Sequence, residues 1–148
     1  MHHIITPESI VYQRPVQYYE TDRMQIVHHS NYIRWMEESR VALLDHLGFS
    51  YTKIEKLGVI IPVLEVTCQY KEMIRYGETV RILPKIEQYS GTRLNFSYEI
   101  YGLDDGKLRT TGSSKHCFLL ADNQKLTKLE RVNPALDRLF HEYAQLDS

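Results

Sequence analysis

The chain has 148 residues, enough for one domain with a real core. Apolar residues make up 43% and charged residues 25%, with a net charge of −1, so the composition is that of an ordinary globular protein. Its longest basic-looking stretch, Lys107 to Arg109, opens a strand pattern, and no basic stripe exists for a nucleic-acid duplex. No segment approaches the roughly 18 apolar residues of a membrane span. Residues 1–9 lack a charged-then-apolar signal pattern, so a cytoplasmic location is expected.

In chain order, residues 11–19 are rich in Val and Tyr and read as a strand, broken by Pro15 and therefore suited to an edge or a bulge. A polar loop covers residues 20–29. Ser30 or Asn31 is the expected N-cap of a helix over residues 32–47, and Gly48 is its stop. Tyr32, Trp35, Met36, Ser39, Ala42, Leu43 and Leu47 form a stripe at helical spacing. Ile33, Val41 and Leu44 lie outside it, so the helix is more apolar than a surface helix needs. Something must wrap around it.

Residues 58–70, 79–89, 92–102 and 107–120 each read as a long strand. Leu94, Phe96, Tyr98 and Ile100 alternate with Asn95, Ser97, Glu99 and Tyr101, the period of a strand with one buried face. Turns are expected at Arg75-Tyr76-Gly77, Ser90-Gly91 and Asp104-Asp105-Gly106. A last helix covers residues 134–145, with Asn133 as its cap. The order predicts an α+β domain over residues 1–148, one long helix held by a curved antiparallel sheet whose other side needs a partner subunit.

The segment from Tyr18 to Arg40 carries the chemistry. It joins a strand to the start of a buried helix, where free backbone N–H groups and the positive end of the dipole can polarise a carbonyl oxygen. Asp22 and the amides near His29 and Ser30 have the spacing to act on one carbonyl together. An acidic residue ahead of a helix is more often a cap, and both readings stand on the residues alone.

Other arrangements point elsewhere. Asp22, His28 and His29 could form a metal set, but adjacent side chains diverge and no His-Glu-x-x-His spacing exists. Cys68 and Cys117 are far apart and read as buried free thiols. Glu37 and Arg40 are spaced to pair across a helical turn, with Glu37 a reserve catalytic candidate. His116 reads as a core histidine. No Gly-x-Ser-x-Gly elbow is present.

The run Asp22-x-x-x-Ile26-Val27-His28-His29-x-Asn31-Tyr32, followed by Glu37 and Arg40, resembles the 4-hydroxybenzoyl-CoA thioesterase family. It is most similar to the short acyl-CoA thioesterases associated with the Tol-Pal system. Glu65 to Tyr70, Arg75 to Glu78 and Ser90 to Arg93 extend the resemblance over nearly the whole chain. It implies a hotdog fold, a homo-oligomer (dimer or homotetramer) with its site at a subunit interface, and no metal or organic cofactor. Asp22 falls at the family's catalytic Asp. His29 falls at the helix start whose amide faces the thioester oxygen, and Tyr18 and Asn31 at polar positions near the reacting centre. Thr92 and Arg93 are the expected substrate-binding residues. One position departs: Gln25 stands where many relatives have Gly, which permits a backbone conformation or a close substrate approach that Gln resists.

The implied activity is hydrolysis of an acyl-CoA to free acid and CoA. Asp22 would attack the carbonyl or activate a water, with His29 or Asn31 orienting it. A non-catalytic acyl-CoA-binding protein on the same fold is the alternative; a hydratase would need a differently placed His and carboxylate.

Overall fold

A computed structural model describes residues 10–146; the reading of residues 1–9 and the outermost ends of the predicted domain lie outside them. Seven strands and four helices follow in the order β1 (Tyr12–Pro15), α1 (Ser30–His46), α2 (Tyr51–Lys56), β2 (Val59–Ile60), β3 (Val63–Tyr70), β4 (Thr79–Tyr89), β5 (Arg93–Gly102), β6 (Leu108–Cys117), β7 (Leu119–Leu120), α3 (Leu129–Val132) and α4 (Pro134–Leu146). A 3₁₀ turn, Tyr18–Glu20, lies between β1 and α1.

Five strands form an antiparallel sheet in the order β1-β4-β5-β6-β3, with β1 and β3 at its edges. Pro15 sits on edge strand β1, as its missing N–H requires. Pro84 lies inside β4, opposite Tyr98 of β5 and beyond the reach of β1, whose pairing ends at Ile82. The β5 alternation is borne out: Leu94, Phe96, Tyr98 and Ile100 are buried under α1, and their neighbours are not.

The concave face of the sheet holds α1. Trp35, Met36, Leu43 and Leu44 join Ile82, Ile86, Phe96 and Ile100 in one core. Met36 packs close over Gly112 of β6, where an added Cβ would lie 2.7 Å from Met36 Sδ and 2.8 Å from the Thr67 carbonyl. A larger residue there would have to displace the Met36 side chain and would clash with the Thr67 carbonyl of β3. Asn133 caps α4 as predicted, its Oδ1 accepting from the Leu136 N–H at 2.9 Å. Gly48 ends α1 at φ +90°.

Several expectations are corrected. The predicted strand over residues 11–19 ends at Pro15, because the chain turns through the 3₁₀ segment. Residues 58–70 are two strands, since β2 leaves to pair with β7 and Pro62 separates it from β3. Residues 107–120 divide likewise after Cys117. Neither Ser30 nor Asn31 caps α1; the N-cap is His29, and the Ser30 N–H donates to His28 Nδ1 at 3.3 Å. Cys117 is buried, but Cys68, on edge strand β3, is only half-buried. Arg40 does not pair with exposed Glu37: it donates to the phenol oxygens of Tyr51 and Tyr98, at 3.1 and 2.9 Å. Among the described residues, no helix is long and apolar enough to cross a membrane.

Candidate active site

Asp22 opens a tight hairpin. Its carbonyl accepts from the Gln25 N–H at 2.9 Å, and its own N–H donates to the Ile26 carbonyl at 2.9 Å. Gln25 takes φ +61°, the left-handed conformation usual at the third loop position of such a turn. Gln therefore adopts what Gly would take more easily. Bridges from Thr21 to Val27 and from Ile26 to Arg75, with the Tyr76 N–H on the Gln25 carbonyl at 3.0 Å, hold it there.

The Asp22 side chain is aimed by this turn. Oδ1 accepts from the N–H of Met24 at 2.8 Å and of Ile26 at 3.3 Å. Oδ2 takes no hydrogen bond among the described residues. One oxygen is a structural acceptor and the other is available. The carboxylate borders a cleft of about 300 Å³ with Ile26, Val27, His28, His29, Tyr32, Tyr70 and the 71–73 segment.

At the other side of the cleft α1 begins. The N–H of Ser30 points to His28 Nδ1, that of Asn31 to the His28 carbonyl and that of Tyr32 to the His29 carbonyl. The N–H of His29 has no acceptor among the described residues. An unpaired amide at the N-terminus of a 17-residue helix is a ready donor to a developing oxyanion. The His28 and His29 rings lie 4.2 Å apart, and Tyr32 meets Tyr70 edge-to-face at 4.9 Å. Burial, with help from Tyr70, pushes the Tyr32 phenol up to about 12, so it stays protonated.

Of the predicted site residues, Asp22 and His29 meet in this cleft. Tyr18 does not line it: its ring is exposed and packs on Tyr76 at 5.5 Å. Asn31 is buried, and its Nδ2 donates to the carbonyls of Glu20 (2.9 Å) and His28 (3.2 Å), which makes it a tether of the loop. Glu37 lies outside the cleft. Thr92 and Arg93 lie near the other end of the sheet. Ladder pairing puts Tyr70 level with Ile100 and Val63 level with Leu94, so about 20 Å of strand separates Arg93 from the Asp22 cleft within one chain. They border a cleft of about 490 Å³ with Leu126, Thr127, Lys128 and Arg131. The Leu129 N–H on the Gly91 carbonyl, 3.0 Å, brings α3 there.

The sequence reading missed Tyr70, Met73, Lys128 and Arg131. Tyr70 and Met73 reach the cleft only through folding of the 70–78 segment over the Asp22 loop, and no spacing signals that. Among the described residues, no group of three or more His, Cys, Asp or Glu is placed to hold a metal.

An antiparallel sheet holding one long helix is the layout of the hotdog class, and here Asp22 and His29 border one cleft at the start of that helix. Comparison with known proteins agrees: residues 16–139 match the model of the thioesterase-like superfamily, and the chain belongs to that family. YneP of Bacillus subtilis, named as a proposed acyl-CoA thioesterase, is 39% identical over 80% of this chain and 86% of its own. The structure of a DHNA-CoA thioesterase from Staphylococcus aureus matches with a TM-score of 0.88 at 34% identity, over 93% of this chain and 92% of the other. A 1,4-dihydroxy-2-naphthoyl-CoA hydrolase from Thermosynechococcus vestitus is 22% identical over 78% of this chain and 80% of its own. The chain is thus a thioester hydrolase with the hotdog fold.

Proposed function

We propose that the protein hydrolyses an acyl-CoA, with Asp22 as nucleophile or general base and the His29 N–H as oxyanion donor. The observation that carries this is the pairing across one cleft of an unbonded carboxylate oxygen with an unbonded helix-start amide. The thioester carbonyl would sit between them, its oxygen on the His29 N–H. Asp22 Oδ2 then either attacks the carbonyl carbon, expelling CoA thiolate and leaving a mixed anhydride for water to open, or takes a proton from the attacking water. His29 would orient Asp22 or that water.

In the same reading Thr92 and Arg93 bind substrate, with Lys128, Arg131 and Thr127 alongside. Three cations and two hydroxyls suit the phosphates of CoA. Edge strand β3 links the two clefts. It exposes Val63, Leu64 and Tyr70, and an antiparallel pairing with its copy about a two-fold axis would reverse its direction. The Tyr70 end of one protomer would then lie beside the Val63 end of the next, bringing an Asp22 cleft close to the partner's Arg93. A dimer or tetramer in the cytoplasm follows from this reading. Sedimentation at micromolar concentration should show it, and an active monomer of 17.5 kDa would refute the shared site.

The chain's resemblance to the 4-hydroxybenzoyl-CoA thioesterases and their Tol-Pal-associated branch favours aroyl or short acyl groups. The naphthoyl-CoA enzymes among its relatives favour aroyl groups, as do the ring-rich walls of the cleft. The test is a panel of acyl-CoA thioesters, short aliphatic through benzoyl to 1,4-dihydroxy-2-naphthoyl, with released thiol measured chromogenically. Turnover of at least one is expected, undiminished by chelator. Binding of acyl-CoA without thiol release across the panel would instead establish the non-catalytic alternative.

A further inference from the structure

Two residues before Asp22, a buried carboxylate gathers the parts of the site. Glu20 is 2% exposed. Its Oε1 accepts from Arg14 at 2.5 Å and from the Gln17 N–H at 2.8 Å, and its Oε2 accepts from Trp35 Nε1 at 2.9 Å. Its main-chain carbonyl accepts from the His28 N–H and from Asn31 Nδ2, both at 2.9 Å. These five bonds come from β1, the 3₁₀ turn, the residue ahead of His29, and α1. The arginine is itself fixed, donating to Glu38 Oε1 at 2.7 Å and lying over the Trp35 ring at 5.3 Å.

We infer that Glu20 is a positioning residue, which through Trp35 and His28 sets the Asp22 loop against the start of α1. The inference rests on the assignment of Asp22 and the His29 N–H proposed above. Side chain and carbonyl act at different points: the carboxylate grips α1 at Trp35, one turn inside the helix, while the carbonyl holds the chain at His28. Asp22 follows Glu20 by two residues, so a shift of Glu20 moves the carboxylate and the amide relative to each other. Misplacement by about 1 Å can cost roughly 100-fold in rate. Burial alone would push the Glu20 carboxyl up, but Arg14 and the two N–H donors outweigh it and hold the group below the ordinary range. Glu20 is therefore a fixed anion, not a proton carrier.

A purely structural ion pair would alter stability and leave turnover per folded molecule alone. Glu20→Gln removes the charge that Arg14 and Trp35 bond and keeps the shape. Trp35 is the chain's one tryptophan, so its fluorescence reports the loss of the carboxylate bond directly. The expected result is a shifted Trp35 emission, kcat lowered by roughly 10–100-fold and KM within a few-fold of wild type. Amide exchange at His28 should also quicken. Wild-type kcat in folded Glu20→Gln, or unchanged His28 exchange, overturns the inference. Should that variant fail to fold, Arg14→Lys carries the test: it keeps a cation but loses the guanidinium fork, and an unchanged kcat there overturns it equally. Wild-type protein inactive on every thioester would refute the function proposed above, while fluorescence and His28 exchange would still decide the role of Glu20.

Discussion

Helix α1 carries two polar clusters, one at its N-terminus and one at its middle, and they are built on opposite rules. At the N-terminus Asp22 Oδ2 and the His29 N–H stand unbonded on an open cleft. At the middle, Arg40 donates to Tyr51 and Tyr98, Tyr98 shares a 2.7 Å bond with Ser114, and Ser114 lies 2.8 Å from His116 Nε2. Arg40, Tyr98, Ser114 and His116 are all buried. Burial works against the charge of Arg40, but the phenols of Tyr98 and Tyr51 more than offset it. Bonds fixed inward specify packing; valences left open toward a cleft are available to a substrate. The comparison locates function by unsatisfied hydrogen-bonding capacity rather than by residue type, since both clusters contain a histidine.

The sharpest way to break the comparison is Asp22→Asn. Asn keeps an Oδ1 acceptor for Met24 and Ile26, so the turn and the melting temperature should survive. The charge on the free oxygen is lost, and turnover of the best acyl-CoA should fall by roughly 10²–10⁴-fold. Near-wild-type turnover would reduce Asp22 to a turn former and leave the open valences without a role. Thermal melting and thiol release, measured on the same samples, decide it.

Arg40→Met is expected to give the mirror image. It strands the Tyr51 hydroxyl, leaves Tyr98 with only its Ser114 bond, and should cost about 1.5–3 kcal/mol of stability, with kcat on folded enzyme nearly unchanged. Urea unfolding beside steady-state kinetics measures both. A more stable Arg40→Met would mean that the cost of burying the guanidinium exceeds what the phenols return.

How much of this was legible in sequence follows from the range of the forces involved. The alternation of β5 is a local periodicity and holds; the stripe of α1 holds at Tyr32, Trp35, Met36, Ser39 and Leu43, while Ala42 and Leu47 are only half-buried and Leu44, placed outside it, is buried. That Asp22 and His29 border one cleft was legible because only six residues of loop separate them. The short helix α2 was not: one buried residue, Ile54, gives it no period. Glu37 and Arg40 had the right spacing for a pair, but Tyr98, 58 residues on, offers Arg40 a buried partner that no local pattern shows. Tyr18 looked poised beside Asp22 until the 3₁₀ turn directed it to Tyr76. Distant pairings decided each of these, and register is a tertiary property.

The buried cluster also predicts a pH dependence. Burial first, and the Arg40 charge second, push the His116 imidazole down to about 4 from its ordinary 6.5. Between these values the unfolded chain binds a proton that the folded chain refuses. Stability is therefore fully present above about pH 6.5 and falls as the pH drops toward 4, by roughly 2–3 kcal/mol. Urea midpoints at pH 7.5 and 5.0 should differ accordingly, and His116→Gln should flatten the difference. A wild-type midpoint that does not move over that range would show that His116 protonates freely in place and that the middle cluster is less closed than its burial indicates.

The smallest effect concerns the open cluster and comes from Gln25. At φ +61° a residue with a Cβ carries strain that Gly lacks, though Gly gives the unfolded chain more freedom to lose. The strain relief exceeds the added entropy cost in the left-handed region, so Gln25→Gly should raise stability by about 0.5–1 kcal/mol. For a chain of this length that is a rise of roughly 2–4 °C in Tm. Turnover tests whether the residue does more than complete the turn. The Gln25 carbonyl bonds the Tyr76 N–H whichever side chain is present, so the loop stays stitched and Asp22 stays aimed. The expected outcome is a small rise in Tm with kcat within about two-fold of wild type, because the strain relieved is far below the 1.4 kcal/mol of a ten-fold rate change. A large change in KM toward bulky thioesters, with Tm unchanged, would show instead that the Gln25 side chain contacts the substrate and that its departure from glycine tunes which acyl-CoA fits.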